Sequence, residues 1–228
     1  MSRGTRSPRG NIARAALKGV AIVVGCVVVL VIGLFVLSSW APSWWRDPSA
    51  LAAEPESDRR SRDLEQNLAA AVSRIRPDGE AWAIRIRDTD INAWLAIRLP
   101  AWTSHDPTLA WPIPGAAAQV RFEAGHAIVG LAMEGRVWTG AFGLTVEPEL
   151  VRIEPGSGAV GRMPVPAGAA MVAKLLEGEG ATTLSLPRTY ALGDGRTLVL
   201  RRIDIVEGAI ELEFATQHAT AAATSAPR

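Results

Sequence analysis

Hydrophobic positions along the chain follow three patterns in turn: an unbroken apolar run, then the spacing of helices, then the alternation of strands. The unbroken run, Gly19–Ser39, contains 21 residues and no charge. A helix rises about 1.5 Å per residue, so this run would extend about 30 Å, the thickness of one hydrocarbon core. We therefore predict a single transmembrane helix over residues 19–39.

The residues that flank this run predict its orientation. Residues 1–18 form a tail with five basic residues and no acid, and an excess of Lys and Arg is typical of the cytoplasmic side. Trp40, Trp44 and Trp45 follow the run and predict an aromatic belt at the opposite membrane interface.

A cleaved signal peptide and a buried core helix are the alternatives for this segment. The run is longer than the apolar region of about 7–15 residues in a signal peptide, and uncharged runs of this length are rare in soluble cores. We favour an uncleaved signal-anchor in the inner (plasma) membrane, with a cytoplasmic N-terminus and an extracytoplasmic C-terminal domain.

Proline and turn residues divide the next part of the chain. Residues 40–57 contain three prolines and predict a short juxtamembrane linker. Residues 58–75 carry apolar positions at helical spacing, and residues 82–87 alternate as a half-buried strand does. Residues 90–99 predict a second helix, which Pro100 ends.

The second half of the chain predicts short strands and tight turns. The predicted elements are a hairpin over residues 119–133, strands over 136–146 and 150–154, a loop at 156–158, a helix over 169–176 and a second hairpin over 197–215. Residues 217–228 are rich in Ala, Thr and Ser and predict a disordered tail. The predicted fold class is α+β: an N-terminal transmembrane helix, then one domain over residues 58–216 with a curved antiparallel sheet and about three helices.

Charge and cysteine content exclude two classes of function. Beyond the basic tail, 19 basic residues stand against 23 acidic ones, so the domain is no electrostatic site for nucleic acid and we expect no nucleic-acid partner. The single cysteine, Cys26, lies inside the apolar run. The domain therefore has no disulfide framework and no thiolate site.

The sequence contains no recognisable catalytic, cofactor or metal motif. His105, His126 and His218 are too far apart to form a local cluster of zinc ligands. Asp88 and Asp90 fall at a predicted helix start, where capping explains them better than paired catalytic carboxylates. We therefore predict no catalytic residue, no cofactor and no metal.

One motif indicates a family resemblance. Thr89, Asn92 and Leu95 form a Thr-x-x-Asn-x-x-Leu helix start that follows an anchor and an amphipathic helix and precedes dispersed hairpins. This layout resembles uncharacterised bacterial envelope proteins, some of which are thought related to the tubular lipid-binding superfamily. Over roughly Asp58–Ala215, the resemblance implies a long antiparallel sheet wrapped around a helix, with an apolar groove able to hold acyl chains.

The function expected from these observations is the binding or handling of an apolar ligand, a lipid, at the membrane. The residues that would line the groove are Ile91, Trp94, Leu95, Phe122, Trp138 and Phe142. Two alternatives stay open: a ligand-free envelope scaffold or assembly module, which would bind envelope proteins and in which these residues pack together, and a hydrolase with an unrecognised site. For Trp102 and Trp111, the sequence leaves three placements open: the core, the groove or a contact with the membrane.

Overall fold

The structure is a computed structural model that describes residues 9–105, 116–166, 168–177 and 185–218; for residues 9–23 and 177 it describes the backbone only. The helices in these ranges are α1 (Arg9–Ser39), α2 (Pro48–Ala53), α3 (Pro55–Ser73), α4 (Asp88–His105) and α5 (Gly168–Glu177). The strands are β1 (Ala81–Arg87), β2 (Ala117–Glu123), β3 (His126–Met133), β4 (Arg136–Val146), β5 (Leu150–Val160), β6 (Met163–Pro164), β7 (Ser185–Pro187), β8 (Thr189–Ala191), β9 (Arg196–Val206) and β10 (Ala209–His218).

The α+β class and the antiparallel pairing are confirmed. The described strands form two sheets, whereas the sequence predicts one curved sheet. A four-stranded sheet has the order β1-β10-β9-β8, and a six-stranded sheet has the order β2-β3-β4-β5-β6, with β7 also paired to β5. The predicted sheet is wrong in this respect because hairpin signals identify neighbours in the chain but give no information on where one sheet ends.

The core lies on one face of the six-stranded sheet, which we call the inner face. Here α5 covers one cluster of buried residues: Leu131, Phe142, Ala169, Val172 and Ala173. A second cluster joins the two sheets and consists of Ile86, Phe122, Ala127 and Ile210. Leu64 and Leu68 of α3 pack against that second cluster, as their helical spacing requires.

Glycines allow α5 to begin directly on the sheet. A Cβ on Gly158 would lie 2.3 Å from the Ala169 nitrogen, and one on Gly140 would lie 2.9 Å from the Ala169 Cα. The segment 156–158, predicted as a loop, is part of β5. That prediction is wrong because these glycines serve a close backbone approach within a strand rather than a turn.

Helix α4 continues beyond the position where the sequence predicts its end. Pro100 lies inside the helix, although its missing N–H removes one backbone hydrogen bond. Side chains hold the turn that follows: the Thr103 hydroxyl donates to the Leu99 carbonyl at 3.1 Å, and the Ser104 hydroxyl donates to the Ala101 carbonyl at 2.7 Å. The prediction that Pro100 ends the helix is wrong, because a proline lacks only its own N–H and the residues after it continue the helix to His105.

The segment predicted as a linker is folded. Asp47 caps α2 by accepting hydrogen bonds from the backbone nitrogens of Ser49 at 2.8 Å and Ala50 at 3.0 Å, the usual role of an N-cap carboxylate. Leu51 of this helix is buried. Helix α3 then begins at Pro55, three residues before the predicted start.

Other sequence predictions reach the limits of the described residues. Where the structure describes side chains, α1 comprises residues 24–39, and within the ranges so described no helix is long and apolar enough to cross a membrane. Trp111 and residues 219–228 lie outside the described residues. Gln217 and His218, predicted to belong to the disordered tail, pair with β9 at the end of β10.

Candidate functional site

The face of the six-stranded sheet opposite the core, here called the outer face, carries small side chains. Gln119, Gly130, Thr139 and Ala159 lie opposite one another on four neighbouring strands and form one row across the sheet. Apart from Gln119, these residues project little from the strands. They therefore leave room for another part of the chain to lie on this face.

Two tryptophans of the segment after α1 occupy part of that room. A Cβ on Gly130 would lie 2.8 Å from ring atoms of both Trp44 and Trp45, so the glycine is required for their close approach. The two rings contact each other edge to face, with centroids 6.0 Å apart. The tryptophans predicted to lie at a membrane interface thus pack on the sheet, while Trp40 is 54% exposed.

The buried amide of Gln119 fixes the same segment. Its Oε1 accepts a hydrogen bond from the Arg46 nitrogen at 3.1 Å, and its Nε2 donates to the Arg46 carbonyl at 2.6 Å. One side chain therefore satisfies both backbone groups of Arg46, as a neighbouring strand would.

Asn92 makes the same kind of contact on the other side of β2. Its Nδ2 donates to the Val120 carbonyl at 2.8 Å, and its Oδ1 accepts from the Val120 nitrogen at 2.7 Å. The Asn of the motif that carries the family resemblance thus ties α4 to an edge strand. Its observed role is structural.

An open cavity of about 590 Å³ lies beside the tryptophans on the outer face; we call it the outer groove. Its floor consists of residues from β3, β4 and β5: Ile128, Thr139, Ala141 and Ala159. Pro42 and Trp44 form one wall, and Arg162 lies at its edge. Both its volume and its mainly apolar lining are within the range of small-molecule sites, about 300–1,000 Å³.

The last turn of α1 contacts the turn between β5 and β6, next to this groove. The Arg162 nitrogen donates to the Leu37 carbonyl at 2.9 Å. Gly161 has a φ of +59°, and a Cβ there would lie 2.5 Å from the Ser38 carbonyl oxygen. The Arg162 Nε also donates to the Ala41 carbonyl at 3.2 Å. Tertiary hydrogen bonds therefore cap α1 and fix its end to the domain.

The structure divides the six residues predicted to line a groove. Phe122 and Phe142 are each 3% exposed and belong to the two core clusters. Trp138 packs against the cluster under α5, and Ile91 packs against the cluster between the sheets. Leu95 lines a smaller cavity of about 280 Å³ between α4 and β2. None of the six lines the outer groove.

Trp94 belongs to a polar network between helices. Its Nε1 donates to Glu65 Oε1 at 3.0 Å, and the other oxygen of Glu65 lies 3.2 Å from a guanidinium nitrogen of Arg98. The Trp94 ring also contacts Trp102, with centroids 5.8 Å apart. Trp102, which is 51% exposed, is therefore part of α4 rather than of an irregular segment.

Arg196 is a buried charged residue away from the groove. Its guanidinium is within hydrogen-bond distance of the Val72, Ser73 and Arg74 carbonyls at the end of α3, where a cation complements the helix dipole. A hydrogen bond from Arg196 also lowers the pKa of Asp194 below its usual value. These contacts stabilise a helix terminus and form no reactive site.

Alternation along strands does not identify the outer groove. It separates the two faces of β4 and favours the inner face as a binding site, because the large apolar residues lie there. The small residues on the outer face carry no signal in the sequence that predicts a function. Among the described residues, no three His, Cys, Asp or Glu side chains are grouped so as to hold a metal ion.

Comparisons with protein-family models, with curated proteins and with solved structures found no match.

Proposed function

We propose that this chain is a membrane-anchored envelope protein whose extracytoplasmic domain holds the acyl chain of a membrane lipid in the outer groove. One observation carries the proposal: Gly161 and Arg162 both line the groove and contact the end of α1. A ligand that leaves a bilayer around α1 would therefore emerge next to the groove.

The surface of α1 supports the anchoring part of the proposal. From Val24 to Leu37, the helix exposes large apolar side chains on all sides, with Val29 at 70% and Phe35 at 62% exposure. Contiguous apolar surface of this kind marks contact with a membrane or a partner. The apolar run Gly19–Ser39 has the length of a bilayer span, and the basic tail before it favours a cytoplasmic N-terminus.

The chemistry of the groove supports an apolar occupant. Ile128, Ala141 and Ala159 present only hydrocarbon to it, and the Thr139 hydroxyl already donates to the Ala159 carbonyl at 3.4 Å. An acyl chain needs no polar partner along its length. Its burial against this floor removes apolar surface from water, which is the main favourable contribution to binding.

A ligand-free assembly module is the second candidate. The tight burial of Phe122 and Phe142 favours it, because the aromatic residues of the inner face leave no space for a ligand there. In this case the outer groove would receive a segment of an envelope protein.

The proposal is tested by photolabelling the full-length protein with a phospholipid that carries a photoactivatable group on its acyl chain. Ala141→Trp fills the floor of the groove and should lower labelling of peptides from β3 to β5 about tenfold, the effect of 1.4 kcal/mol in affinity. Thr145→Trp places the same side chain on an exposed position of β4 outside the groove and should leave labelling unchanged.

Equal labelling of the two variants would refute the groove as the lipid site. Label confined to the peptide that contains Leu95 would assign the lipid to the smaller cavity. Absence of label from the whole domain, together with normal recovery of the protein in the membrane fraction, would favour the assembly module.

A further inference from the structure

Two arginines lie on the side of the domain that contacts α1. The guanidinium carbon of Arg136 lies 5.3 Å from the centre of the Phe35 ring, and that of Arg162 lies 5.5 Å from the centre of the Trp40 ring. Among the described residues, no carboxylate lies within ion-pair distance of either arginine. Glu134, in the turn before Arg136, is exposed and makes no ion pair with it.

The two arginines lie on the folded domain, and the positions of Phe35 and Trp40 along the chain give their depth relative to a bilayer. Phe35 precedes the end of the apolar run at Ser39 by four residues, about 6 Å along a helix. Trp40 follows that end directly. The headgroup layer adds about 5–8 Å to each side of the hydrocarbon core. Phe35 therefore lies inside the hydrocarbon core of a bilayer spanned by residues 19–39, and Trp40 lies in the headgroup layer. This anchor places Arg162 beside the lipid phosphates and Arg136 below them, at a depth where a cation is stable only when it extends to an anionic headgroup or draws one in.

We infer that Arg136 and Arg162 bind the phosphate groups of anionic phospholipids in the outer leaflet; this inference rests on the proposed membrane anchoring. A planar guanidinium matches a phosphate with two parallel hydrogen bonds, which an ammonium group does not. The face of an aromatic ring attracts a cation, so Phe35 and Trp40 keep the two arginines beside the end of α1. Arg162 also lines the outer groove, so a phosphate bound there lies where the acyl chain of the same lipid enters it.

The test uses full-length protein reconstituted in liposomes of equal parts phosphatidylcholine and phosphatidylglycerol. After detergent extraction and removal of free lipid, mass spectrometry quantifies the phospholipids that stay bound. The wild type should be enriched in phosphatidylglycerol. The double variant Arg136→Gln with Arg162→Gln should lose this enrichment about 30-fold, since each basic residue contributes a factor of about five to the attraction of anionic lipid.

Two further double variants separate recognition from charge and from folding. Arg87→Gln with Arg201→Gln removes the same charge from exposed positions of the four-stranded sheet and should keep the enrichment. Arg136→Lys with Arg162→Lys keeps the charge and should retain part of it. Carbonate extraction of each variant checks that the protein stays embedded in the membrane.

Unchanged enrichment in the glutamine double variant would overturn the inference, and so would an equal loss in the Arg87 and Arg201 control. Displacement of the bound lipid by millimolar inorganic phosphate would also overturn it, because the site would then recognise free phosphate. Acyl-chain labelling of the Ala141→Trp variant is measured separately. A failure of the headgroup site alone therefore leaves the groove proposal standing, and a failure of the groove leaves the headgroup site standing.

Discussion

The contact between Gln119 and Arg46 gives the sharpest prediction, because a single side chain holds the segment that forms one wall of the outer groove. Gln119→Ala removes two hydrogen bonds, at 3.1 and 2.6 Å. Each intramolecular hydrogen bond contributes about 0.5–1.5 kcal/mol net, so local opening of the segment should become easier by about 1–3 kcal/mol. This corresponds to a 5- to 150-fold increase in the rate of amide exchange.

Hydrogen–deuterium exchange of the full-length protein in detergent measures this directly. Peptides that contain Trp44, Trp45 and Arg46 should lose protection in Gln119→Ala, while peptides from β4 should keep theirs. Asn92→Ala is the matched control, because Asn92 makes the same pair of bonds to Val120. It should increase exchange in β2 and leave the segment after α1 unchanged.

A second variant at the same position, Gln119→Glu, keeps the size of the side chain and tests whether the amide group itself is needed. Gln119→Glu keeps an acceptor for the Arg46 nitrogen but places a carboxylate oxygen against the Arg46 carbonyl, so its effect should be as large as that of the alanine variant. Wild-type exchange of the segment in both variants would refute the reasoning. It would mean that Trp44 and Trp45, packed on Gly130, hold the segment without the amide.

Two further predictions concern stability. Gly158→Ala should lower the free energy of unfolding by about 1–3 kcal/mol, since its Cβ would overlap the start of α5. In the control variant Gly143→Ala the Cβ would have an ordinary contact at 3.9 Å, and the free energy of unfolding should change by less than about 0.5 kcal/mol. Thermal melts of both variants measure the difference. Asp194 has a lowered pKa because Arg196 donates a hydrogen bond to it, so its stabilising contribution is present above the ordinary carboxyl value of 3.8 and is lost as the pH falls through the lower value in the folded state. Asp194→Asn should flatten the dependence of stability on pH below about 4, and an unchanged acid transition in this variant would contradict the assignment.

Local elements of this fold could be predicted from the sequence because their signals are local. The sequence predicts the two hairpins that turn at Gly125 and Gly208 to within a few residues of their observed bounds. Both turns need a positive φ, which glycine adopts readily. The prediction that Pro100 ends a helix is wrong, because a proline does not by itself show whether the residues after it resume the helix, as they do here up to His105.

The candidate site could not be predicted, because it depends on contacts distant in sequence. The alternation in β4 indicates that Trp138 and Phe142 share a face. Only the fold shows that α5 covers that face and that the segment after α1 covers part of the other. Gln119 and Arg46 are 73 residues apart, and nothing in either local sequence indicates that they meet.

The pairing of β1 with β10 has a consequence for how the chain reaches its folded state. Ala81 lies opposite Ala215, and Arg87 lies opposite Ala209, so β1 can find its partner only after β10 has been synthesised. Contacts between residues so distant in sequence fold slowly, because the entropy of closing a long loop must be lost first. β1 therefore stays unpaired, and the apolar face of α3 uncovered, until β10 joins the four-stranded sheet.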